Sequence, residues 1–409
     1  SVLWGVTKLR KYKVAVLGWE VPSWSKITTG AGMYLSYLTE LGKFSRTTNP
    51  RLDLTFIVPW QRDALLRKNG YSVLLLKTPG FRKERPYHDE VLYPSCKNFA
   101  SRLLKDKNPI DHKSFDLILA NSFAFGEFIS RAQHLDNLVY ISHRPEFLRE
   151  KFAEQFRVKL GGMRRLRKDA ELEAKAVKNS ERVLAVSKAC KKELAKRYGP
   201  DKITVIYNGI NENVFSRVQI PSNGGKTVFT YIGRNHPEKG ISLLLRSVKD
   251  LIEKDHGKNF ETRLITDDGV SLRRAVKKLG LSDHVKIINW KMQRWLPYYY
   301  SGSTFTIMPS YWESFSYVVA ESLSCETPVI VSRAGALPEL VDRKVGLLFR
   351  VGDGDDLTGQ LWEACERSHE SVVEMGKRGR KKIRNLFSKS VFMTNYLKFI
   401  DETINGTIS

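Results

Sequence analysis

The sequence predicts an α/β protein of two doubly wound domains facing a cleft, and three observations predict it. At 409 residues the chain exceeds one ordinary domain and suits two of roughly 200, each large enough to bury a core. Short, wholly apolar runs recur through both halves, the pattern of strands buried on both faces of a parallel sheet. Helical periods separate them, each beginning at small or polar turn residues.

Taken in order, Lys13-Val-Ala-Val-Leu-Gly-Trp19 reads as the first strand. Thr29-Gly30-Ala-Gly32 then precedes a helical period at Met33, Leu35, Leu38 and Leu41, with Gly42 as its stop. The small residues at Gly30 and Gly32 let the backbone come close to a ligand. Leu52–Val58 and Phe115–Ala120 read as further parallel strands, and Leu138–Ser142 ends at His143. A residue at the carboxyl end of a parallel strand points into the crevice where ligands bind. Arg182–Ser187 closes the first sheet, and Lys202–Gly209 runs into a second domain through a linker around Asn208 to Ile220. There Val228–Ile232, Arg263–Thr266, Val285–Ile288 and Thr304–Met308 read as strands, and Ile241–Leu251 and Phe392–Ile404 as helices.

Charge is unevenly spread. The net charge is +24, and residues 1–210 carry 39 Lys and Arg against 21 Asp and Glu, hence +18. Such a field favours a polyanion: a membrane face, a nucleic acid or a phosphorylated substrate. Between Arg149 and Lys168 a helical stretch mixes Arg149, Arg164, Arg165, Arg167 and Lys168 with Phe152, Phe156 and Leu160. Basic residues interleaved with aromatics suit an anionic membrane or an acceptor held there, and equally a solvated face. Cys96, Cys190, Cys325 and Cys365 are widely spaced with no CxxC, which argues against a disulfide framework and a zinc site and for buried free thiols. No apolar run is long enough to span a bilayer, and the first ten residues lack the order of a signal peptide, so a cytoplasmic protein at most peripheral to a membrane is expected. Zinc-finger spacing and RNA-binding aromatic motifs are absent, which counts against a nucleic-acid-binding protein.

Two stretches carry chemistry. Gly233-Arg234 and Lys239-Gly240 follow a strand and precede a helix. Arg offers a planar fork and Lys a point charge, and across one turn the two clamp a diphosphate. In Pro309–Glu321, Glu313 falls in a strand-to-helix loop and Glu321 about a turn inside the helix, so two carboxylates face one crevice beside free helix amides. Phosphate suits the amides and hydroxyls suit the carboxylates. A sugar on a nucleotide diphosphate satisfies both.

Glu313 to Glu321 resembles the Glu-x₇-Glu signature of family-four retaining glycosyltransferases, which have the GT-B fold. Ser314 and Ser316 stand where that loop carries glycines, and serine keeps the backbone N–H and serves as a helix N-cap. The Gly-Arg-x₄-Lys-Gly segment matches the family's diphosphate motif. Gly18-Trp-Glu-Val-Pro22, with Thr29 for the first glycine of the Gly-Gly-x-Gly that follows, matches its opening. Lys26 lies near the phosphate-contacting lysine of starch and glycogen synthases, one residue out of step. Cys325–Ser332 and Gly335–Glu339 match the next strand and loop, with Glu326 in place of a helix-ending glycine at a cost of about 1 kcal/mol if φ is positive.

The resemblance implies transfer of a sugar from a nucleotide-diphosphate sugar with retention, needing no metal and no cofactor. Arg234 and Lys239 would stabilise the leaving diphosphate, Glu313 would hold sugar hydroxyls, Glu321 the ribose, and His143 the sugar from the opposite domain. Gly30, Gly32, Gly233, Ser314, Phe315, Ser316 and Tyr317 would line the donor. Residues 1–210 would form the acceptor domain, 211–388 the donor domain, and 389–409 a helix crossing back. The acceptor is expected to be lipid-linked or a glycan, the alternatives being a nucleic-acid acceptor or a non-catalytic nucleic-acid-binding protein of this fold.

Overall fold

A computed structural model describes residues 11–18, 30–48, 50–68, 70–79, 89–104, 114–132, 136–155, 163–221, 224–254 and 259–406. They divide into two compact units. One takes in residues 1–151, 161–207 and 392–409, the other residues 152–160 and 208–391.

The first unit is built on eight strands: β1 (Lys11–Leu17), β2 (Arg51–Trp60), β3 (Ala64–Lys68), β4 (Tyr71–Lys77), β5 (Leu117–Ala120), β6 (Leu138–Ser142), β7 (Arg182–Ala185) and β8 (Ile203–Val205). Their order is β3-β4-β2-β1-β5-β6-β7-β8. All pairings are parallel except β3 with β4. Central strands such as β5 and β6 are buried at every position, which is why they read as unbroken apolar runs. The edge strand β3 keeps Leu65 half exposed. Sequence order reverses between β1 and β5, and the loops leaving those strands part there.

Helix α1 (Gly30–Phe44) runs past Gly42, which therefore is no stop. A Cβ at Gly42 would lie 2.3 Å from the Gly70 carbonyl oxygen, so the glycine serves close packing of the helix on the β3–β4 turn. Helices α2 (Asp89–Leu103), α3 (Gly126–Arg131), α4 (Phe147–Gln155), α5 (Met163–Asn179) and α6 (Lys188–Tyr198) complete the layers. The expected single basic helix from Arg149 to Lys168 is thus two helices, with residues 156–162 outside the described residues. Residues 392–404 of the last helix also belong to this unit: Phe392 and Tyr396 stack edge-on against Tyr34 of α1, and the Tyr12 hydroxyl donates to Asp401 at 2.7 Å.

The second unit holds β9 (Thr227–Ile232), β10 (Phe260–Thr266), β11 (Val285–Asn289), β12 (Phe305–Met308), β13 (Val329–Ser332) and β14 (Gly346–Phe349). They lie in the order β11-β10-β9-β12-β13-β14, every pairing parallel. Renumbered within the unit this is 3-2-1-4-5-6, the Rossmann order, with its switch point between β9 and β12. Helices α7 (Ile241–Lys254), α8 (Gly269–Lys278), α9 (Leu296–Ser301), α10 (Tyr317–Ser324), α11 (Leu337–Leu340), α12 (Gly354–Glu366) and α13 (His369–Leu386) flank the sheet, and α14 (Lys389–Ile404) leaves it. Leu244, Val248 and Leu251 of α7 recur on one helical face and are fully buried against Phe305, Ile307 and Leu347 of the sheet. Truncating one such leucine to alanine costs about 2–5 kcal/mol. That core is the platform on which the loops beyond β9 and β12 stand.

Candidate functional site

The second unit's switch point brings two of the predicted residues into contact. Beyond β9 the chain passes Gly233 and Arg234, makes a short turn at Pro237–Lys239, and enters α7 through Gly240. Beyond β12 it runs Pro309 to Ser316 and enters α10. The Lys239 ammonium donates to the Glu313 carboxylate at 2.7 Å, and the Ser310 hydroxyl donates to the same Glu313 oxygen at 2.7 Å. Arg234 is exposed and forms no ion pair among the described residues. One cation is thus held in place by a carboxylate with two of its N–H donors to spare, and one stands ready for an incoming anion.

Backbone contacts fix this arrangement. The Tyr311 N–H donates to the Glu238 carbonyl at 2.8 Å, tying the two loops together. Gly240 has φ 72°, and a Cβ there would lie 2.0 Å from the Pro309 carbonyl oxygen. Gly335 has φ 52°, and its Cβ would lie 2.1 Å from the Glu313 carbonyl oxygen. Both positions therefore need glycine for conformation and for space. Gly233 sits over the Tyr231 hydroxyl, which donates to the Arg234 carbonyl at 3.0 Å and holds that turn from below.

Ser316 differs from its expected role. It precedes α10 with φ 77° and makes no side-chain cap, because a left-handed residue turns its hydroxyl away from the first-turn amides. Serine occupies a glycine-like conformation here without the capping benefit, and the first-turn amides of α10 keep no intrahelical acceptor. Ser314 and Tyr317 are half-buried and Phe315 fully buried, its ring against Tyr317 and Phe387. Glu326 has φ 60°, the conformation that favours glycine.

Glu321 is buried on α10, accepts from the Tyr300 hydroxyl at 2.7 Å, and is pushed by burial up to about 8. Its partner and those of Glu313 have no member in common. The two carboxylates are therefore in different states: Glu313 charge-paired, Glu321 desolvated with one neutral donor.

In the first unit His143, just past β6, has its Nε2 2.7 Å from the Asn121 Oδ1, so that nitrogen donates. The Tyr34 ring stands edge-on to it at 4.8 Å, and the Tyr34 hydroxyl donates to the Tyr396 hydroxyl at 2.9 Å. Burial lowers His143 to about 4, so it is neutral at physiological pH. Beneath it Glu173 of α5 is fully buried, accepting from the Glu146 N–H at 2.8 Å and from the Tyr140 and Ser142 hydroxyls at 3.3 Å. Asn121, Tyr34, Ser310, Tyr300 and Glu173 escaped the sequence reading, although Asn121, a polar residue directly after a buried strand, carries the same signal as His143. Gly30 and Gly32 lie in the first turn of α1, while Trp19, Glu20, Lys26 and Thr29 lie outside the described residues.

The basic group at Arg149–Lys168 is largely answered by acids. Arg149 pairs with Asp169 at 3.2 Å and Glu146 at 3.6 Å, Arg165 with Asp169 at 3.9 Å, and Arg167 with Glu150 at 2.8 Å. Arg164 and Lys168 are exposed. Among the described residues no group of His, Cys, Asp or Glu is arranged to hold a metal ion. Asp353 of the Asp-Gly-Asp run instead caps α12, accepting from the Asp356 N–H at 2.9 Å.

Known proteins share this architecture. Residues 213–382 match the family model of glycosyl transferases group 1, and residues 63–214 that of glycosyltransferase family 4. A D-inositol 3-phosphate glycosyltransferase of Nocardiopsis dassonvillei is 30% identical over 212 residues, 46% of this chain and 48% of that protein. The chain spans about half the length of the curated relatives it matches. The sucrose-phosphate synthase of Thermosynechococcus elongatus has the same fold, with a TM-score of 0.76 at 17% identity over 97% of this chain and 100% of that one. The Anabaena protein HepE in complex with UDP-glucose shares it too, with a TM-score of 0.66 at 18% identity over 97% of this chain and 100% of that one. Two adjoining family matches from residue 63 to residue 382, over two parallel-sheet units of GT-B type, make the chain a member of the group 1, family 4 glycosyltransferases.

Proposed function

We propose that the chain transfers a sugar from a nucleoside-diphosphate sugar to a hydroxyl acceptor, with retention of anomeric configuration and without a metal ion. The observation that carries this reading is the Lys239–Glu313 pair at the switch point of the second unit, with the exposed Arg234 in the same β9–α7 loop as Lys239. When the bond from sugar to diphosphate breaks, negative charge grows on the departing phosphate oxygen. Two preplaced cations stabilise that charge more than they stabilise the ground state, which lowers the barrier. Glu313 orients Lys239 and accepts from sugar hydroxyls, while Glu321 accepts from the ribose. His143, neutral and fixed through Asn121, offers a hydrogen bond without charge to the sugar. That the similarly folded HepE is seen in complex with UDP-glucose supports a donor of this class.

Calorimetric titration with UDP, ADP and GDP tests the site. Arg234→Ala and Lys239→Ala should each weaken the preferred diphosphate and lower turnover by about 10²–10³-fold, with the circular dichroism spectrum unchanged. Unchanged affinity in both variants would refute the assignment. Activity surviving EDTA, and product NMR showing the donor's anomeric configuration, are the outcomes the mechanism requires. For the acceptor we propose a lipid-linked or glycan hydroxyl at an anionic surface, met by the exposed Arg164 and Lys168 of α5. Replacing Arg164 and Lys168 with Gln should then reduce sedimentation with anionic vesicles.

A further inference from the structure

We propose that the second unit carries a separate binding site for a phosphorylated, hydroxyl-bearing small molecule, in the hollow between α13 and the segments around Glu212 and Ser388. The hollow has a volume of about 520 Å³ and shares no residue with the donor site described above. That volume is within the range of small-ligand pockets.

Four cations of α13 line it: Lys377, Arg380, Lys381 and Arg384. Spaced by three, four and seven residues, they form one helical stripe. Arg380 is partly engaged, since it donates to the Phe215 carbonyl at 3.4 Å and lies 3.8 Å from the Glu326 carboxylate. Lys377, Lys381 and Arg384 make no ion pair among the described residues. Three cations without carboxylate partners facing one concave space repel one another, and a phosphoryl dianion placed there would turn that repulsion into attraction.

The other lining groups set the class of ligand. Glu212 and Glu326 line the same hollow, with Asn385 of α13 and with Ser388 and Ser390 of the segment that follows it. A bare polyanion would be repelled by the two carboxylates, whereas a molecule that carries hydroxyls as well as a phosphoryl group satisfies cations, carboxylates and hydroxyls alike. Glu326 reaches its place at φ 60°, a conformation that strains a non-glycine residue. Ser388 is buried, its hydroxyl 3.0 Å from that of Ser390. Ile210 and Ser388 pair in a short parallel bridge, with the Ile210 N–H donating to the Phe387 carbonyl and the Lys389 N–H to the Ile210 carbonyl, both at 2.8 Å. These two segments are the ones by which the chain enters the second unit, after Tyr207, and leaves it, after Val391. A ligand bridging Glu212 and Ser390 would tie entry and exit together.

The test is calorimetric titration of the whole chain with inorganic phosphate and with a hexose 6-phosphate. Three variants accompany the wild type: Lys377→Gln with Lys381→Gln and Arg384→Gln, Glu212→Gln, and Arg234→Ala as the donor-site control. The triple variant should bind both probes at least tenfold more weakly, about the effect of removing charge-assisted contacts. Glu212→Gln should weaken the hexose phosphate only, and Arg234→Ala should change neither. Sedimentation with phosphatidic acid vesicles against phosphatidylcholine vesicles separates a lipid headgroup from a soluble ester. Phosphatidic acid binding that the triple substitution abolishes, with no hexose phosphate binding, would keep the phosphoryl site and assign its ligand to the membrane. Absence of binding to every probe, or binding abolished by Arg234→Ala and untouched by the triple substitution, would overturn the proposal.

Discussion

Replacing Glu173 with glutamine should raise stability at alkaline pH while leaving it unchanged in mild acid. Burial, reinforced by the nearby Glu146 carboxylate, raises Glu173 from an ordinary 4.5 to about 8. A carboxyl so raised is neutral in the folded protein across a range where the unfolded chain is already ionised. Its contribution to stability is complete below pH 4.5 and is lost as pH rises through 8. The full loss is about 5 kcal/mol from the shift alone, an upper bound because a stressed site relaxes and admits water. Glutamine copies the neutral form: one oxygen still accepts from the Glu146 N–H, and the amide remains beside the Tyr140 and Ser142 hydroxyls.

The assay is urea unfolding of wild type and Glu173→Gln at pH 5, 7 and 9, with amide exchange at Ser142–Glu146 to localise the effect. The two proteins should match at pH 5, and the variant should be more stable by roughly 2–4 kcal/mol at pH 9, a large part of a typical 5–15 kcal/mol total. Glu321 titrates over the same window and is untouched, so the variant should retain a reduced pH slope rather than none. A variant less stable than wild type by the same amount at every pH would show that Glu173 works as a charged acceptor, and the reasoning would fail.

Because ribose hydroxyls donate to the ionised form, donor binding should draw a proton off Glu321: affinity should rise with pH up to about 8, and calorimetry in buffers of differing ionisation heat should show proton release, which Glu321→Gln abolishes. Gly335→Ala should lower the unfolding midpoint and weaken diphosphate binding together, since its Cβ would meet the Glu313 carbonyl 2.1 Å away; loss of one without the other would separate the loop's packing from its role in the site. Glu326→Gly should relieve φ 60° and alter stability by less than about 1 kcal/mol, because glycine's extra freedom in the unfolded chain offsets much of the gain.

How far the sequence was legible depended on where the information lies. Strands β5, β6, β9 and β12 announce themselves because burial on both faces keeps every charged residue out of them and leaves short runs of apolar, Thr, Ser and Tyr side chains. The antiparallel pair β3 and β4 went unread: β3 is an edge strand with mixed exposure, and its signal was the Asn-Gly dipeptide that follows it in the sequence rather than its apolarity. Gly42 misled because a glycine near a helix end commonly stops it, whereas here it makes room for the Gly70 carbonyl. In the site, Arg234, Lys239 and Glu313 were legible because each sits in a short loop next to a strand end. Their partners were not. Ser310 is ordinary in sequence, Tyr300 is one of three consecutive tyrosines, and Glu173 lies on a helix crowded with charges. Nothing along the chain says that Asp169 will be buried and take up Arg149 and Arg165, so a count of cations between 149 and 168 overstates the free positive charge.

The two units use the same reversal of strand order and arm it differently, and the difference matches what each would handle. At the switch point of the second unit the side chains are charged, Lys239 against Glu313 with Arg234 in the same loop as Lys239. Beside that of the first unit they are neutral: His143, one strand along after β6 and lowered to about 4, is held by the amide of Asn121 after β5 and the ring of Tyr34 in α1. A diphosphate is charged before and after transfer, so preplaced cations serve it throughout, and a neutral imidazole would add little. A sugar ring is uncharged, and a cation aimed at it would oppose the positive character that grows at the anomeric carbon as the donor bond breaks. On the role proposed above for His143, a neutral imidazole avoids that opposition and can still direct a hydrogen bond, and burial is what keeps it neutral. Glu173 then acts one layer below, holding the 142–146 segment by its Oε1 and Oε2 without adding a full charge beneath the histidine at neutral pH. On this reading the buried carboxyl is kept protonated for the same reason that the histidine is kept unprotonated.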